Sequence, residues 1–285
     1  MKQIKLLFLL ASASVTGAFA QSNGLTDMSQ SRYAKMANTG IDAVHWTNGF
    51  WGERFNVFSG TSLQSMWNTW NTPEVSHGFR NFEIAAGICK GEHWGPPFHD
   101  GDMYKWMEGV ASVYAVNKDL ELDKLMDNFI ACVVKAQRAD GYIHTPVIIE
   151  ELNKGIDSHT QADSQQQTVI GTKVGSEDEK GAFANRLNFE TYNLGHLMMA
   201  GIVHHRATGK TTLLDAAVKA TDFLCHFYET ASAELARNAI CPSHYMGVVE
   251  MYRATGNPRY LELSKNLIDI RGMVESGTDD NQDSI

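Results

Sequence analysis

Four residues, Arg206-Ala207-Thr208-Gly209, recur as Arg253-Ala254-Thr255-Gly256, a period of 47 residues. Leu214 then matches Leu261, and Asp222 matches Asp269. A weaker copy lies upstream, where Tyr114 and the helical stretch after it align with Tyr252 and the stretch after it. A unit of this size holds one helix-turn-helix hairpin. Such units stack, because one hairpin alone cannot bury its apolar face. Stacked hairpins close into an α/α toroid or stay open as a solenoid. The expected fold class is all-α.

The strongest helical signal lies just before the first copy. Leu194, Leu197, Met198, Gly201, Ile202 and His205 follow helical spacing, and Met199, Ala200 and Val203 make the opposite side apolar too. A helix that is apolar all round is enclosed by other helices. Its polar residues, Glu190, Tyr192, Asn193 and His196, gather at the N-terminal end. In a toroid such ends converge on one mouth, and His244 stands at another of them. The cluster fits either a ligand pocket or a buried network that satisfies itself.

The remaining chain supplies partners. A short helix is expected at Leu63–Trp70 and another carrying Phe79, Phe82, Ile84, Ala85 and Ile88. The Gly- and Pro-containing stretch 91–97 ends it. Asp100 or Asp102 is placed to cap the next helix, which carries Met103, Trp106, Met107, Val110, Val113 and Tyr114. A further helix with Leu122, Leu125, Met126, Phe129 and Val133 ends at Ala139-Asp140-Gly141-Tyr142. Asn48-Gly49 between aromatic residues suggests a strand or hairpin near residues 44–55. Residues 150–186 read as a long polar excursion with a small hairpin near 168–174. After the central helix come one with Leu214, Ala217, Val218, Thr221, Leu224 and Tyr228, one started by Pro242, and one started by Pro258.

Residues 1–20 read as a signal peptide: Lys2 and Lys5, a short apolar run, then Ala18-Phe19-Ala20. The run is too short to span a membrane. Export to a periplasm or beyond is expected, with no membrane insertion after cleavage. A formal net charge of −9 gives no footprint for nucleic acid. Cys89, Cys132, Cys225 and Cys241 form no C-x-x-C pair, which excludes a zinc ribbon. Cys132 and Cys225 fall on apolar helix faces and read as buried thiols.

Six blocks, in order, resemble glycoside hydrolase family 127, the β-L-arabinofuranosidase family. They are Gly49-Phe50-Trp51-Gly52-Glu53-Arg54, Asn81-Phe82-Glu83-Ile84-Ala85-Ala86-Gly87, and Phe98-His99-Asp100-Gly101-Asp102-Met103-Tyr104-Lys105-Trp106-Met107-Glu108. Then come Ala136-Gln137-Arg138-Ala139-Asp140-Gly141-Tyr142, Glu190-Thr191-Tyr192-Asn193-Leu194-Gly195-His196, and Val249-Glu250-Met251-Tyr252-Arg253-Ala254-Thr255-Gly256. The resemblance spans residues 44–272. It implies an α/α toroid followed by β-rich domains. It also implies retaining hydrolysis by a cysteine thiolate on zinc, with further cysteines and a glutamate as ligands and a second glutamate as acid/base. Zinc deprotonates a thiol and so activates it near neutral pH. The blocks carrying that chemistry, Glu-Thr-Cys and Cys-Cys, do not occur in this sequence. No nucleophile, acid/base residue or metal ligand is carried over.

The expected organisation is then a signal peptide at 1–20, a polar lead-in at 21–43, and the N-terminal portion of a toroid domain at 44–285. The fold is expected to be an incomplete toroid with a short β-containing lead-in, inactive alone, with zinc belonging to the complete family protein. The candidate substrate-binding residues are His244, Glu190, His196, Asp100 and Tyr142. The resemblance matches His244 to a family histidine in a Gly-His-Pro block, with Tyr245 in place of the proline. It puts Phe189 where the family has a histidine. Glu250 reads as structural, Lys210 as surface, and His204 and His205 as favourable partners of a helix dipole. Two other classes stay open: a carbohydrate-binding or scaffold remnant without chemistry, and another toroid enzyme such as an unsaturated-uronyl hydrolase or a sugar epimerase, which the Phe98-His99-Asp100-Gly101-Asp102 block would serve.

Overall fold

The computed structural model describes residues 24–155, 182–185, 188–236 and 243–271. The leader, the hairpin expected near 168–174, Cys241, Pro242 and the acidic tail lie outside the described residues. The helices are α1 (Gly49–Val57), α2 (Leu63–Trp70), α3 (Gly78–Ala85), α4 (His99–Asn117), α5 (Leu120–Ala136), α6 (Thr145–Asn153), α7 (Glu190–Thr208), α8 (Thr212–Thr230), α9 (Ala233–Ala236), α10 (Ser243–Thr255) and α11 (Pro258–Arg271). A π-helical turn at Phe58–Ser62 joins α1 to α2. Among the described residues the architecture is all-α.

The repeat is visible as three hairpins, α4/α5, α7/α8 and α10/α11. Each first helix ends at a left-handed residue: Lys118 (φ 55°), Gly209 (φ 77°) and Gly256 (φ 71°). In each the N–H of that residue bonds to the carbonyl four residues back, at Tyr114, His205 and Tyr252. The threonine of the repeated tetrapeptide does one job in both copies. Thr208 Oγ1 donates to the His204 carbonyl and Thr255 Oγ1 to the Met251 carbonyl, each at 2.7 Å. Both then accept from the N–H two residues on, at Lys210 and Asn257. The tetrapeptide is thus a helix-end device that reverses the chain.

First helices pack on first helices and second on second, so α4, α7 and α10 form an inner row and α5, α8 and α11 an outer one. α7 is the middle of the inner row, and fourteen of its nineteen residues are buried, which accounts for its apolar circumference. Two glycines let the inner helices touch. A Cβ at Gly101 of α4 would lie 2.7 Å from Asn193 Oδ1, and one at Gly247 of α10 would lie 2.7 Å from the Gly195 carbonyl. These contacts also put the N-termini of all three inner helices at one level. Below them α4 meets the outer layer through Trp106, Tyr104, Phe82 and Phe129, whose rings pack at 5.0–6.3 Å. Lys210 links hairpins: its Nζ lies 2.7 Å from Asp123 Oδ1 and 2.8 Å from Asp127 Oδ2 on α5.

The lead-in crosses the inner row near its C-terminal ends. Arg206 Nη1 donates to the Gly24 and Leu25 carbonyls at 3.0 and 2.8 Å. Glu250 Oε2 accepts from the Asp27 N–H at 3.0 Å and from Arg206 Nη2 at 3.2 Å, and Glu250 Oε1 accepts from Arg253. The two arginines of the repeated tetrapeptide therefore share one buried carboxylate.

Three expectations need correction. Residues 49–57 form a helix, not a strand or hairpin. The turn at Gly49 (φ 69°) is real, but Phe50 and Arg54 beyond it sit one helical turn apart, with the guanidinium 5.4 Å from the ring centroid. α6 occupies the start of the expected excursion; its run Val147-Ile148-Ile149 is wholly buried and shows no helical period. His204 does not act on a helix dipole as a charge. Burial lowers its pKa to about 4, so the ring is neutral.

Candidate functional site

The polar groups at the N-terminal level of the inner row divide into a buried layer and a partly exposed wall. The buried layer begins at the turn after α5. Gln137 Nε2 donates to the Gly141 and Ala216 carbonyls at 2.9 and 2.8 Å, and the Tyr142 N–H donates to Asp140 Oδ1 at 3.1 Å. Gly141 (φ 95°) passes so close to α8 that a Cβ would overlap the Lys219 carbonyl. This rigid turn aims Tyr142 at Glu190, and the hydroxyl donates to Oε1 at 2.5 Å. Glu190 Oε2 accepts from the Phe183 N–H at 2.7 Å. Arg138 pairs with Glu151 and lies 4.9 Å over the Tyr142 ring.

Burial is the main influence on Glu190 and raises its pKa; His144, the Tyr142 hydroxyl, the Phe183 N–H and Arg138 pull the other way. Burial, then the Glu190 charge, moves Tyr142 well above the ordinary tyrosine value. The phenol therefore stays protonated and donates to the carboxyl.

Asp100 does not cap its own helix. Its Oδ2 accepts from the Thr145 N–H at 2.7 Å and its Oδ1 from the Thr145 hydroxyl at 2.6 Å, so it caps α6 from across the fold. His144 Nδ1 lies 3.5 Å from Asp100 and 3.3 Å from Asn193 Nδ2. Asn193 also donates to the Pro97 carbonyl and accepts from the Gly101 N–H. Asp102 instead pairs with Lys105 at 2.9 Å.

Beside Asp100 stand four histidines, and the sequence singled out none of them as a site residue. His77 Nδ1, His93 Nε2, His99 Nδ1 and His144 Nε2 are buried without a hydrogen-bond partner. Burial lowers the His93 pKa to about 4, with Asp100 opposing and His144, His99 and His77 assisting. A neutral ring such as that of His93 offers a donor and an acceptor to uncharged polar groups. Asn81 braces the loop that carries His93, through both the N–H and the carbonyl of Trp94. Nothing in the spacing of these histidines reveals the cluster; they come from the start of α3, the loop before α4, the first residue of α4 and the N-cap of α6, and only the tertiary fold brings them together.

The wall lies between α4 and α7. Lys105 donates to Tyr192, whose ring meets His196 edge to face at 4.6 Å. His196 Nδ1 lies 3.9 Å from Glu108 Oε1. Above Tyr192 stand Phe189 and Phe98, 5.4 Å apart at 82°. Phe189 precedes α7 in a left-handed conformation (φ 57°, ψ 30°) and contributes no side-chain cap. Of the expected site residues, Glu190, Tyr142 and Asp100 thus lie in the buried layer and His196 on the wall. His244 is fully buried at the start of α10, its ring 4.3 Å from Tyr245.

The donors present among the described residues do not fit the zinc centre that the resemblance implies. Among the described residues no group of three His, Cys, Asp or Glu side chains is arranged to hold a metal. Burial pushes the Cys132 and Cys225 thiols up to about 11, and the two sit on separate outer helices. No chemical step is assigned to zinc here. Among the described residues no helix is long and apolar enough to cross a membrane.

Residues 43–285 match the family model of the β-L-arabinofuranosidase GH127 catalytic domain. A non-reducing end β-L-arabinofuranosidase of Bifidobacterium longum subsp. longum is 31% identical over 197 residues, covering 69% of this chain and 27% of that protein. A solved structure described as a glycoside hydrolase is 73% identical, with a TM-score of 0.64 over 92% of this chain and 32% of that one. A GH127 β-L-arabinofuranosidase from Geobacillus stearothermophilus T6 is 28% identical, with a TM-score of 0.63 over 84% and 34% of the two chains. The chain thus spans about a third or less of the length of these relatives.

Proposed function

The chain belongs to glycoside hydrolase family 127, the β-L-arabinofuranosidase family, and from that premise we propose that it recognises carbohydrate within an exported glycoside hydrolase acting on L-arabinofuranosides or a related rare sugar of plant-type glycans. The observation that carries this reading is the wall at the mouth of the inner row. Lys105, Tyr192, His196 and Glu108 present hydroxyl-directed donors and acceptors there, and His196 stands in the block that resembles the family. Among the five expected residues, His196 meets the sugar directly. Tyr142, Glu190 and Asp100 hold α6 and α7 in place behind it, and His244 sets the start of α10.

The 285 residues bind sugar but do not hydrolyse it alone, because the Glu-Thr-Cys and Cys-Cys blocks to which the resemblance assigns the chemistry do not occur in this sequence. Hydrolysis of an arabinofuranoside reporter above a blank would overturn this. Titration calorimetry with arabinose-containing oligosaccharides tests the binding directly; absence of heat at millimolar sugar would leave an inert domain. The leader at 1–20 supports export, which periplasmic fractionation checks.

One observation bears on the alternative of an unsaturated-uronyl hydrolase or epimerase. Both Asp100 oxygens are taken by Thr145, which leaves that carboxylate poorly placed for proton transfer. Asp100→Asn should therefore cost stability and not remove a catalytic proton. Loss of turnover with unchanged stability, in an active preparation, would favour the alternative.

A further inference from the structure

We propose that Phe189 and Phe98 form an aromatic platform at the outer edge of the α4–α7 wall, and that it holds the second unit of a neutral oligosaccharide whose first unit sits deeper against Tyr192, Lys105, Asp102, His196 and Glu108. The inference rests on the carbohydrate reading and extends it to substrate length and charge.

Depth along α7 sets the order. Phe189, Tyr192 and His196 are spaced so that they descend one side of the helix. Seven residues of helix advance about 10 Å, longer than a single five-membered ring. The outer end of that path is apolar and the inner end polar. Phe98 is 37% exposed and Phe189 is half-buried, so this aromatic pair is not closed into the core. Sugar rings carry C–H faces that pack on aromatic rings and hydroxyl rims that do not, so an apolar edge above a polar floor suits two successive units.

Backbone geometry supports the placement. A bulky residue at φ 57° is an outlier that its surroundings must maintain. Here the Asn193 N–H bonds to the Phe189 carbonyl at 2.9 Å, and Asn193 is itself fixed to Pro97 and Gly101. The same asparagine thus ties the Phe189 turn to the chain that carries Phe98. The wall's charge favours a neutral ligand: Lys105 is held by Asp102 at 2.9 Å, and Glu108 is a second carboxylate on the same wall. A uronate would meet more negative than positive charge.

The test compares L-arabinose with an L-arabinofuranose disaccharide, titrated calorimetrically into the full 285-residue chain. The disaccharide should bind about tenfold more tightly than the monosaccharide, the contribution of a good aromatic contact. Phe189→Gly removes the ring while suiting the left-handed backbone, and it should bring that ratio to about one. Phe98→Ala, outside any helix, should do the same from the other side. A ratio that stays near ten in both variants overturns the platform, as does a wild-type ratio near one with measurable monosaccharide binding. Binding of neither sugar to the wild type overturns the carbohydrate reading and the platform with it. Galacturonic acid binding as tightly as arabinose would overturn the charge argument.

Discussion

The Tyr142 hydroxyl donates to Glu190 Oε1 at 2.5 Å, and both side chains are buried. This bond joins the turn after α5 to the first residue of α7, so it fixes the angle at which the central helix enters the inner row. Tyr142→Phe leaves one carboxyl oxygen buried without its donor. The expected loss is about 1–3 kcal/mol, the desolvation cost of an unsatisfied acceptor. Urea denaturation should show a lower midpoint at unchanged slope. An unchanged midpoint would mean that Glu190 finds another donor.

Arg206 and Glu250 make a second such link, one that neither residue's own helix requires. Their side chains are 2% and 1% exposed, and Glu250 also receives the Asp27 N–H. Glu250→Ala would strand a buried guanidinium, at a cost of about 3–5 kcal/mol. It would also free residues 24–27 from the inner row. Limited proteolysis should then cut the lead-in at least several-fold faster than in the wild type. Equal cleavage rates would show that Arg206 alone retains the segment.

The long helices α4, α5, α7 and α8 were legible from the sequence, because α5 and α8 bury one face and repeat with the helical period, whereas α4 and α7 are enclosed and apolar on most sides. α6 was not: three consecutive β-branched or apolar residues, Val147, Ile148 and Ile149, are all buried and give no alternation to read. The hairpin ends were legible because Gly209 and Gly256 answer a backbone requirement that composition records. The division of the site into layers was hidden. Asp100 takes its partner from Thr145, 45 residues away, and the histidine cluster is assembled from four separate segments of the chain. Contacts of that range depend on how hairpins stack, and spacing along the chain does not encode them.

Gly247 faces the Gly195 carbonyl, where an added Cβ would approach to 2.7 Å, with Met198 Cβ at 3.0 Å. Backbone cannot yield as a side-chain tip can. Gly247→Ala should therefore push α10 away from α7 and cost about 1–3 kcal/mol by overpacking, in spite of alanine's better helix propensity. Thermal unfolding of this variant beside Gly60→Ala tests the point, because Gly60 has open space around its Cβ position. Similar midpoints for the two variants would show that the inner row tolerates a wider gap.

Acid should weaken the fold as pH falls below about 6.5. His93 and His204 both have pKa values lowered by burial from 6.5 to about 4. Between those values the unfolded chain binds protons that the folded chain refuses, so stability falls as pH drops from about 6.5 toward 4. Glu190 works in the opposite direction. Its pKa is raised on folding, so the folded state gains from protonation as pH falls and offsets part of the loss. Two histidines refuse protons where one carboxyl takes one up, so the net response is a loss of stability as pH falls. Both His204 ring nitrogens are buried without a partner, so His204→Leu removes an unsatisfied polar group as well as the proton uptake. The variant should match or exceed wild-type stability at pH 7 and exceed it by a wider margin at pH 5. Chemical denaturation at the two pH values measures the difference, and a margin that does not widen at pH 5 would remove His204 from the acid response.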